Sequence, residues 1–95
     1  MFLIELTFTD LNKITPELTQ VHRDYLAKEY ETNQLLFGGR KEPRTGGLLI
    51  SDHKDETRVR ALMDSDPFVE SGVAKYKITE FIPVMASDEY RHLLA

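Results

Sequence analysis

The segment FLIELTF, residues 2–8, sets the arrangement expected for the rest of the chain. Every second residue in it is large and apolar, and these residues share one face: Phe2, Ile4, Leu6 and Phe8. The other face begins with Leu3 and then turns polar. A period of two with aromatic and β-branched residues predicts a strand whose first face is fully buried.

A helix is predicted shortly after this strand. Thr15 supplies a capping hydroxyl, Pro16 suits the first helical position, and Glu17 places an acid in the first turn. The helix is expected to run to about Thr32. Its inward stripe follows the spacing of three, four and seven residues and consists of Leu18, Val21, His22, Tyr25, Leu26 and Glu29.

Two further strands and a second helix are predicted in the middle of the chain. The second strand opens with Leu35, and Gly38 and Gly39 let backbone or a ligand come close. Gly46–Ser51 reads as the third strand. The second helix begins near Asp55 and turns three residues inward, namely Val59, Leu62 and Met63.

The second helix is expected to end at the Asp66-Pro67 step, because the residue before a proline is disfavoured in a helix. Residues 68–72 then form a turn, and residues 73–82 form the last strand. Residues 87–94 form either a short amphipathic helix or a frayed tail.

The element order βαββαβ is that of the ferredoxin-like split βαβ fold, an α+β class. Right-handed crossovers place both helices on one face of a four-stranded antiparallel sheet. The unbroken apolar run Leu48–Ile50 suggests a strand covered on both faces. The face opposite the helices needs cover, and a second copy is the simplest, so a homodimer is expected. Residues 1–84 are assigned to the domain and residues 85–95 to a tail or short helix.

Composition narrows the classes of partner. A chain of 95 residues with a net charge of −4 lacks the clustered basic residues that nucleic acids require. Basic residues mostly stand beside acids, as in Arg23-Asp24, which is typical of a solvated helix face. With no cysteine, no signal segment at Met1–Glu5 and no apolar run that spans a bilayer, we expect a reducing, cytoplasmic setting without membrane contact.

No metal or cofactor motif is recognised. The three histidines are far apart in sequence, and His53 and His92 are expected at the surface. The glycine pairs flank a hairpin, whereas a dinucleotide loop leads from a strand into a helix. No serine has a nucleophile-elbow setting. We therefore expect neither a bound metal nor a cofactor.

His22 and Asp66 each allow two interpretations. His22 is the one histidine on an apolar helix stripe, so it is either a partly buried residue bonded to the backbone or a general acid or base, since imidazole titrates near neutral pH. Asp66 is either a local turn device or the partner that orients the imidazole. Asp64 is a poorer candidate and is expected to be solvated.

Several short motifs, taken together and in order, resemble the YciI-like (YCII-related) family. They are His22-x-x-Tyr25-Leu26, Gly38-Gly39, Gly46-Gly47 and Asp66-Pro67-Phe68 before Gly72. The resemblance spans roughly residues 2–84. It implies a ferredoxin-like fold, association into dimers of the dimeric α/β barrel type, and an active-site pair of a histidine and an aspartate. One branch of the family dehydrochlorinates a chlorinated hydroxyquinone.

The resemblance also implies which residues form the site. It assigns catalysis to His22 and Asp66 and substrate binding to Tyr25, Gly39 and Phe68. Arg40 departs from the pattern, since the family commonly has proline there. Its guanidinium either holds a carboxylate or phenolate in the pocket or points into solvent beside Lys41 and Glu42.

Two functions from different classes fit these observations. The first is a cofactor-independent enzyme in which His22 and Asp66 transfer a proton, a lyase or isomerase acting on a small aromatic or quinonoid molecule. The second is a non-catalytic dimeric module that binds a small ligand or another protein. An oxygen-using monooxygenase is a third option, for which no haem or flavin site is marked. Catalysis requires a titratable imidazole, whereas a binding module tolerates His22→Gln.

Overall fold

A four-stranded antiparallel sheet in the order β2-β3-β1-β4 carries two long helices on one face, and each of them connects two strands of the sheet. The computed structural model describes all residues, 1–95. The elements along the chain are β1 (Phe2–Phe8), α1 (Pro16–Glu31), β2 (Leu35–Arg40), β3 (Gly46–Ser51), α2 (Glu56–Asp64), α3 (Pro67–Glu70) and β4 (Ala74–Glu80). The predicted ferredoxin-like α+β fold is confirmed, with one helix, α3, that was not expected.

β1 lies at the centre of the sheet, between β3 and β4. Ile4 pairs with Leu49 on one side and with Ile78 on the other. The side chains of Phe2, Ile4 and Leu6 point to the helices and are almost fully buried. The alternation in residues 2–8 therefore describes the core face of the sheet correctly.

Both long helices begin as their sequences predict. Thr15 Oγ1 accepts a hydrogen bond from the Leu18 amide at 3.1 Å, and the Asp55 carboxylate accepts one from the Arg58 amide at 2.9 Å. The predicted inward stripe of α1 is wrong at Val21, which is 52% exposed. Val21 lies about 140° around the helix from the buried Leu26 at 3.6 residues per turn.

The segment after α2 is helical, where a turn was predicted. Asp66 is the N-cap of α3, and Pro67 occupies its first helical position. This is the same start signal as Thr15-Pro16, so the sequence contained it. The helix is only four residues long, and it places Phe68 in the core beside Asp66.

The second face of the sheet is uncovered in the single chain. Leu3, Phe37, Leu48 and Ile50 form what we call the open face: Leu3 pairs with Ile50, and Phe37 pairs with the same residue from β2. Phe37 is 60% exposed and Leu48 is 39% exposed, whereas Leu49 points to the helices and is buried. Within one chain, the run Leu48–Ile50 is thus covered on one face, where cover on both was expected.

His53 is buried, although it was expected at the surface. Its Nδ1 lies 2.5 Å from Ser51 Oγ, and its Nε2 lies 3.1 Å from a carboxylate oxygen of Glu29 on α1. Leu49, Ser51 and His53 share one face because the period of two continues past the end of β3. His92 is exposed, as predicted.

The chain beyond β4 has little regular structure until a short 3-10 helix at Asp88–Leu93. This short helix buries none of its residues. None of the helices has both the length and the apolar composition needed to cross a membrane.

Candidate active site

His22 and Asp66 are in direct contact. His22 Nδ1 lies 2.6 Å from Asp66 Oδ1, although the residues are 44 positions apart. α1 presents His22 from one side, and the turn between α2 and α3 presents Asp66 from the other. The Asp66 side chain is fully buried, and the His22 side chain is 13% exposed. The fold thus joins a buried carboxylate to an imidazole that solvent still reaches.

The hydrogen bonds around Asp66 define the tautomer of His22. Asp66 Oδ2 accepts a hydrogen bond from the Phe68 amide at 3.1 Å, and Oδ1 faces His22 Nδ1. An ionised carboxylate can only accept, so Nδ1 carries the hydrogen and donates it. Asp66 therefore serves both as the cap of α3 and as the partner of the imidazole, and the two interpretations of this residue do not exclude each other.

The other ring nitrogen of His22 is free. Nε2 makes no hydrogen bond within the protein, and the structure has no buried side-chain nitrogen or oxygen without a partner. Nε2 must therefore be accessible to solvent. A neutral imidazole with hydrogen on Nδ1 presents a lone pair at Nε2, which is the atom a general base needs.

Phe68 fixes the plane of the imidazole. The rings of His22 and Phe68 are stacked, with centroids 4.1 Å apart and planes 16° from parallel. Phe8 contacts the edge of Phe68 at a centroid distance of 5.5 Å. With Asp66 at one edge and Phe68 on one face, the imidazole has little freedom to turn away from its orientation.

A cavity of about 600 Å³ lies beside this pair, between α1 and the edge of the sheet. Its lining includes His22, Gly39, Arg40 and Phe68, four of the residues predicted to form a site. Its floor is apolar, with side chains from both the sheet and α1: Leu6, Phe8, Leu26 and Leu49. A molecule the size of one substituted aromatic ring fits such a space.

The two glycines of β2 have different roles. A Cβ atom at Gly38 would lie 2.5 Å from Leu49 Cδ2 and 2.7 Å from Tyr30 Oη, so a side chain there is excluded. A Cβ atom at Gly39 would meet nothing within 4 Å. Gly38 is therefore the glycine that packing requires, while Gly39 borders the cavity without being sterically required.

Tyr25 lies apart from the cavity. Its hydroxyl donates a hydrogen bond to the Leu62 carbonyl at 2.7 Å, which ties α1 to α2, and its ring lines a second, shallower depression beside His53. Burial, followed by the nearby charge of Asp66, raises the pKa of Tyr25 above its ordinary value of 10.0. The phenol is thus a stable donor to the backbone. The predicted substrate-binding residue lies outside the space around His22.

The cavity lining also includes two arginines that were not predicted to form a site: Arg23, which was assigned to a solvated helix face, and Arg44. Arg23 follows His22 on α1, and Arg44 belongs to the loop between β2 and β3. Helix periodicity identifies inward positions by their apolar residues, so it does not identify Arg23. The polar turn that contains Arg44 likewise gives no indication that this residue lines a cavity.

Asp64, the poorer candidate for the partner of His22, is exposed. It accepts a hydrogen bond from the Tyr76 hydroxyl at 2.5 Å.

No three His, Asp or Glu side chains come together as metal ligands would. The imidazole of His22 has one carboxylate beside it, and that of His53 also has one. The arrangement at His22 is an imidazole hydrogen-bonded to a single buried carboxylate.

The fold and this pair define a class: small ferredoxin-like α+β domains with a His–Asp pair at the edge of a cavity. Residues 2–82 match the YCII-related domain, and the chain belongs to that family. Among curated proteins, none matches the sequence significantly.

A solved structure shares the fold. It is 5-chloro-2-hydroxyhydroquinone dehydrochlorinase (TftG) from Burkholderia phenoliruptrix AC1100, in complex with 2,5-dihydroxybenzoquinone. The superposition has a TM-score of 0.73 and covers 84% of this chain and 91% of the dehydrochlorinase. The sequences are 19% identical, so the likeness concerns the fold alone.

Proposed function

We propose that this protein is a cofactor-independent enzyme that uses His22 and Asp66 to transfer a proton on a small aromatic or quinonoid molecule, in a lyase or isomerase reaction. The observation that carries the proposal is the 2.6 Å contact between His22 Nδ1 and Asp66 Oδ1, which leaves Nε2 free beside a cavity of about 600 Å³.

In the proposed reaction, Nε2 of His22 accepts a proton from the bound molecule. The imidazolium that forms keeps its Nδ1 hydrogen and donates a hydrogen bond through it to Asp66, whose carboxylate oxygen lies 2.6 Å away. The electron pair left on the substrate then forms a new π bond. Either a leaving group departs with its own bonding pair, as in a lyase, or the proton returns to another atom, as in an isomerase.

The cavity supports a ring-shaped substrate. Its lining includes the aromatic side chains of Phe8 and Phe68, and offset or edge contacts between rings are favourable. The structurally similar dehydrochlorinase acts on a chlorinated hydroxyhydroquinone. The first substrate to test is therefore a compound of this hydroquinone and quinone class.

The test is chloride release from 5-chloro-2-hydroxyhydroquinone. The protein is expected to release chloride faster than buffer alone, with the rate proportional to protein concentration. An equal rate in the presence and absence of protein would count against dehydrochlorination and would favour the non-catalytic binding module.

We also propose that two copies pair through the open face of the sheet. Phe37 and Leu48 are exposed there, Leu3 and Ile50 are half-buried, and a second sheet would remove these apolar side chains from water. Sedimentation velocity at micromolar concentration should then show a species of twice the 11.0 kDa chain mass.

Leu48→Glu should shift this species towards the monomer, because pairing would bury a charge on each copy. Val21→Glu is the matched control, since Val21 is an exposed apolar residue of α1, away from the open face. A wild-type protein that sediments only as the monomer, or a dimer that Leu48→Glu leaves intact, would contradict pairing through this face.

A further inference from the structure

The six arginines of the chain fall into two groups. Three lie away from the cavity, and each has a guanidinium nitrogen 3.0–3.7 Å from a carboxylate oxygen: Arg58, Arg60 and Arg91. The three that line the cavity have no carboxylate within 4.0 Å: Arg23, Arg40 and Arg44. In a chain with 16 acids and 12 Lys and Arg residues, acidic partners are plentiful. The uncompensated arginines are therefore gathered at one place.

The three arginines come from separate parts of the fold. Arg23 is on α1, directly after His22; Arg40 ends β2; Arg44 is in the loop that follows. Arg40 pairs with Gly47 in the sheet, so it lies on the same side as Leu49 and the helices. All three side chains are exposed, while three of the floor residues are buried: Leu6, Leu26 and Leu49. The cavity thus has an apolar floor and a basic rim.

Little opposes this positive charge. Glu31 is the one acid among the residues that line the cavity, against three guanidinium groups. None of the three guanidinium groups donates a hydrogen bond to another part of the protein. Their donors are therefore available to a ligand. Guanidinium is well suited to bind anionic oxygens, because its planar fork donates two parallel hydrogen bonds to a carboxylate.

We propose that the cavity takes a small aromatic carboxylate, with the ring on the floor beside Phe68 and the carboxylate on the rim of Arg23, Arg40 and Arg44. This names the substrate class of the proposed enzyme, and it rests on the proposed function for the statement that the bound molecule reacts. The rim also orients the ligand, since a carboxylate held by the arginines leaves the far side of the ring towards His22 and Phe68.

The experiment compares benzoate with benzamide, which has nearly the same shape and no charge. Binding to the wild-type protein is measured by NMR titration, and the amide signals of His22 and Phe68 locate it. Benzoate should bind about tenfold or more tightly than benzamide, as expected for hydrogen bonds to charged groups. The preference should fall as the salt concentration rises, because the rim is exposed to solvent.

Two double variants distinguish the effect of losing the arginine rim from the effect of lowering the overall positive charge. Arg23→Gln with Arg44→Gln should remove most of the preference for benzoate. Arg60→Gln with Arg91→Gln removes the same charge from residues outside the cavity and should leave the preference unchanged. Equal affinity for the two probes, including absence of binding by both, would overturn the proposal, and so would an equal loss in the two double variants.

Phenyl phosphate distinguishes the two common oxyanions. Tighter binding of benzoate than of phenyl phosphate supports the carboxylate, whereas the reverse order would overturn that assignment. These titrations need no turnover, so their result is independent of chloride release. If benzoate is preferred and no chloride is released, the proposed reaction is wrong while the binding assignment stands.

Discussion

Replacement of His22 by glutamine should lower the rate of chloride release about 10²–10⁴-fold, the range that a general acid or base contributes. Glutamine has a similar length and retains a hydrogen-bond donor for Asp66, so the buried carboxylate keeps a partner. What it lacks is a lone pair that accepts a proton near neutral pH. The loss should therefore fall on the rate of the reacting complex, with benzoate affinity changed little.

His92→Gln is the matched control for this variant, because His92 is exposed in the C-terminal 3-10 helix. It should retain the wild-type rate. Circular dichroism and thermal unfolding of both variants check that the fold is retained. Undiminished turnover by a folded His22→Gln protein would exclude His22 as the base.

Asp66→Asn should lower the same rate about 10²-fold or more, while the protein stays folded. Asparagine is as good an N-cap as aspartate, so the bond to the Phe68 amide is retained at the start of α3. It cannot hold the proton on Nδ1 by charge, and its amide NH₂ can donate to that nitrogen instead. The hydrogen would then move to Nε2, and the lone pair on that nitrogen would be lost.

Asp66→Ala separates the two tasks of this carboxylate. It removes the cap as well as the partner of His22, so it should lower the free energy of unfolding by about 1–2 kcal/mol relative to Asp66→Asn. Urea titrations of the two variants measure the difference. A large loss of stability in Asp66→Asn, or wild-type turnover in it, would contradict the assignment of charge-dependent orientation to Asp66.

The sequence was sufficient for the order and type of the main elements. The period of two in residues 2–8 located the central strand, and Thr15-Pro16 located the start of α1, because both signals are local and strong. α3 was missed although Asp66-Pro67 has the same form as Thr15-Pro16, since the following Gly72 suggested a turn. Burial of His53 was missed because it depends on Glu29, 24 positions away.

The candidate site was only partly predictable. His22 lies on an inward stripe, so its orientation follows from helix periodicity, and its pairing with Asp66 came from resemblance and from the shared face of the sheet. The position of Arg23 and Arg44 in the cavity lining could not be inferred from the sequence, because it depends on how a loop and a helix approach each other. Tyr25 follows His22 by three residues and was predicted on the same inward stripe. Its hydroxyl instead donates a hydrogen bond to the Leu62 carbonyl on α2.

The most direct test of the central claim is the tautomeric state of His22, read from the ¹⁵N chemical shifts and ¹H–¹⁵N couplings of its ring. For the neutral form of the ring, the contact with Asp66 predicts hydrogen on Nδ1 and a free lone pair on Nε2 in the wild-type protein. The hydrogen should move to Nε2 in Asp66→Asn. A wild-type ring with hydrogen on Nε2 and none on Nδ1 would contradict the account, because the ring nitrogen that has no protein partner could not then accept a proton.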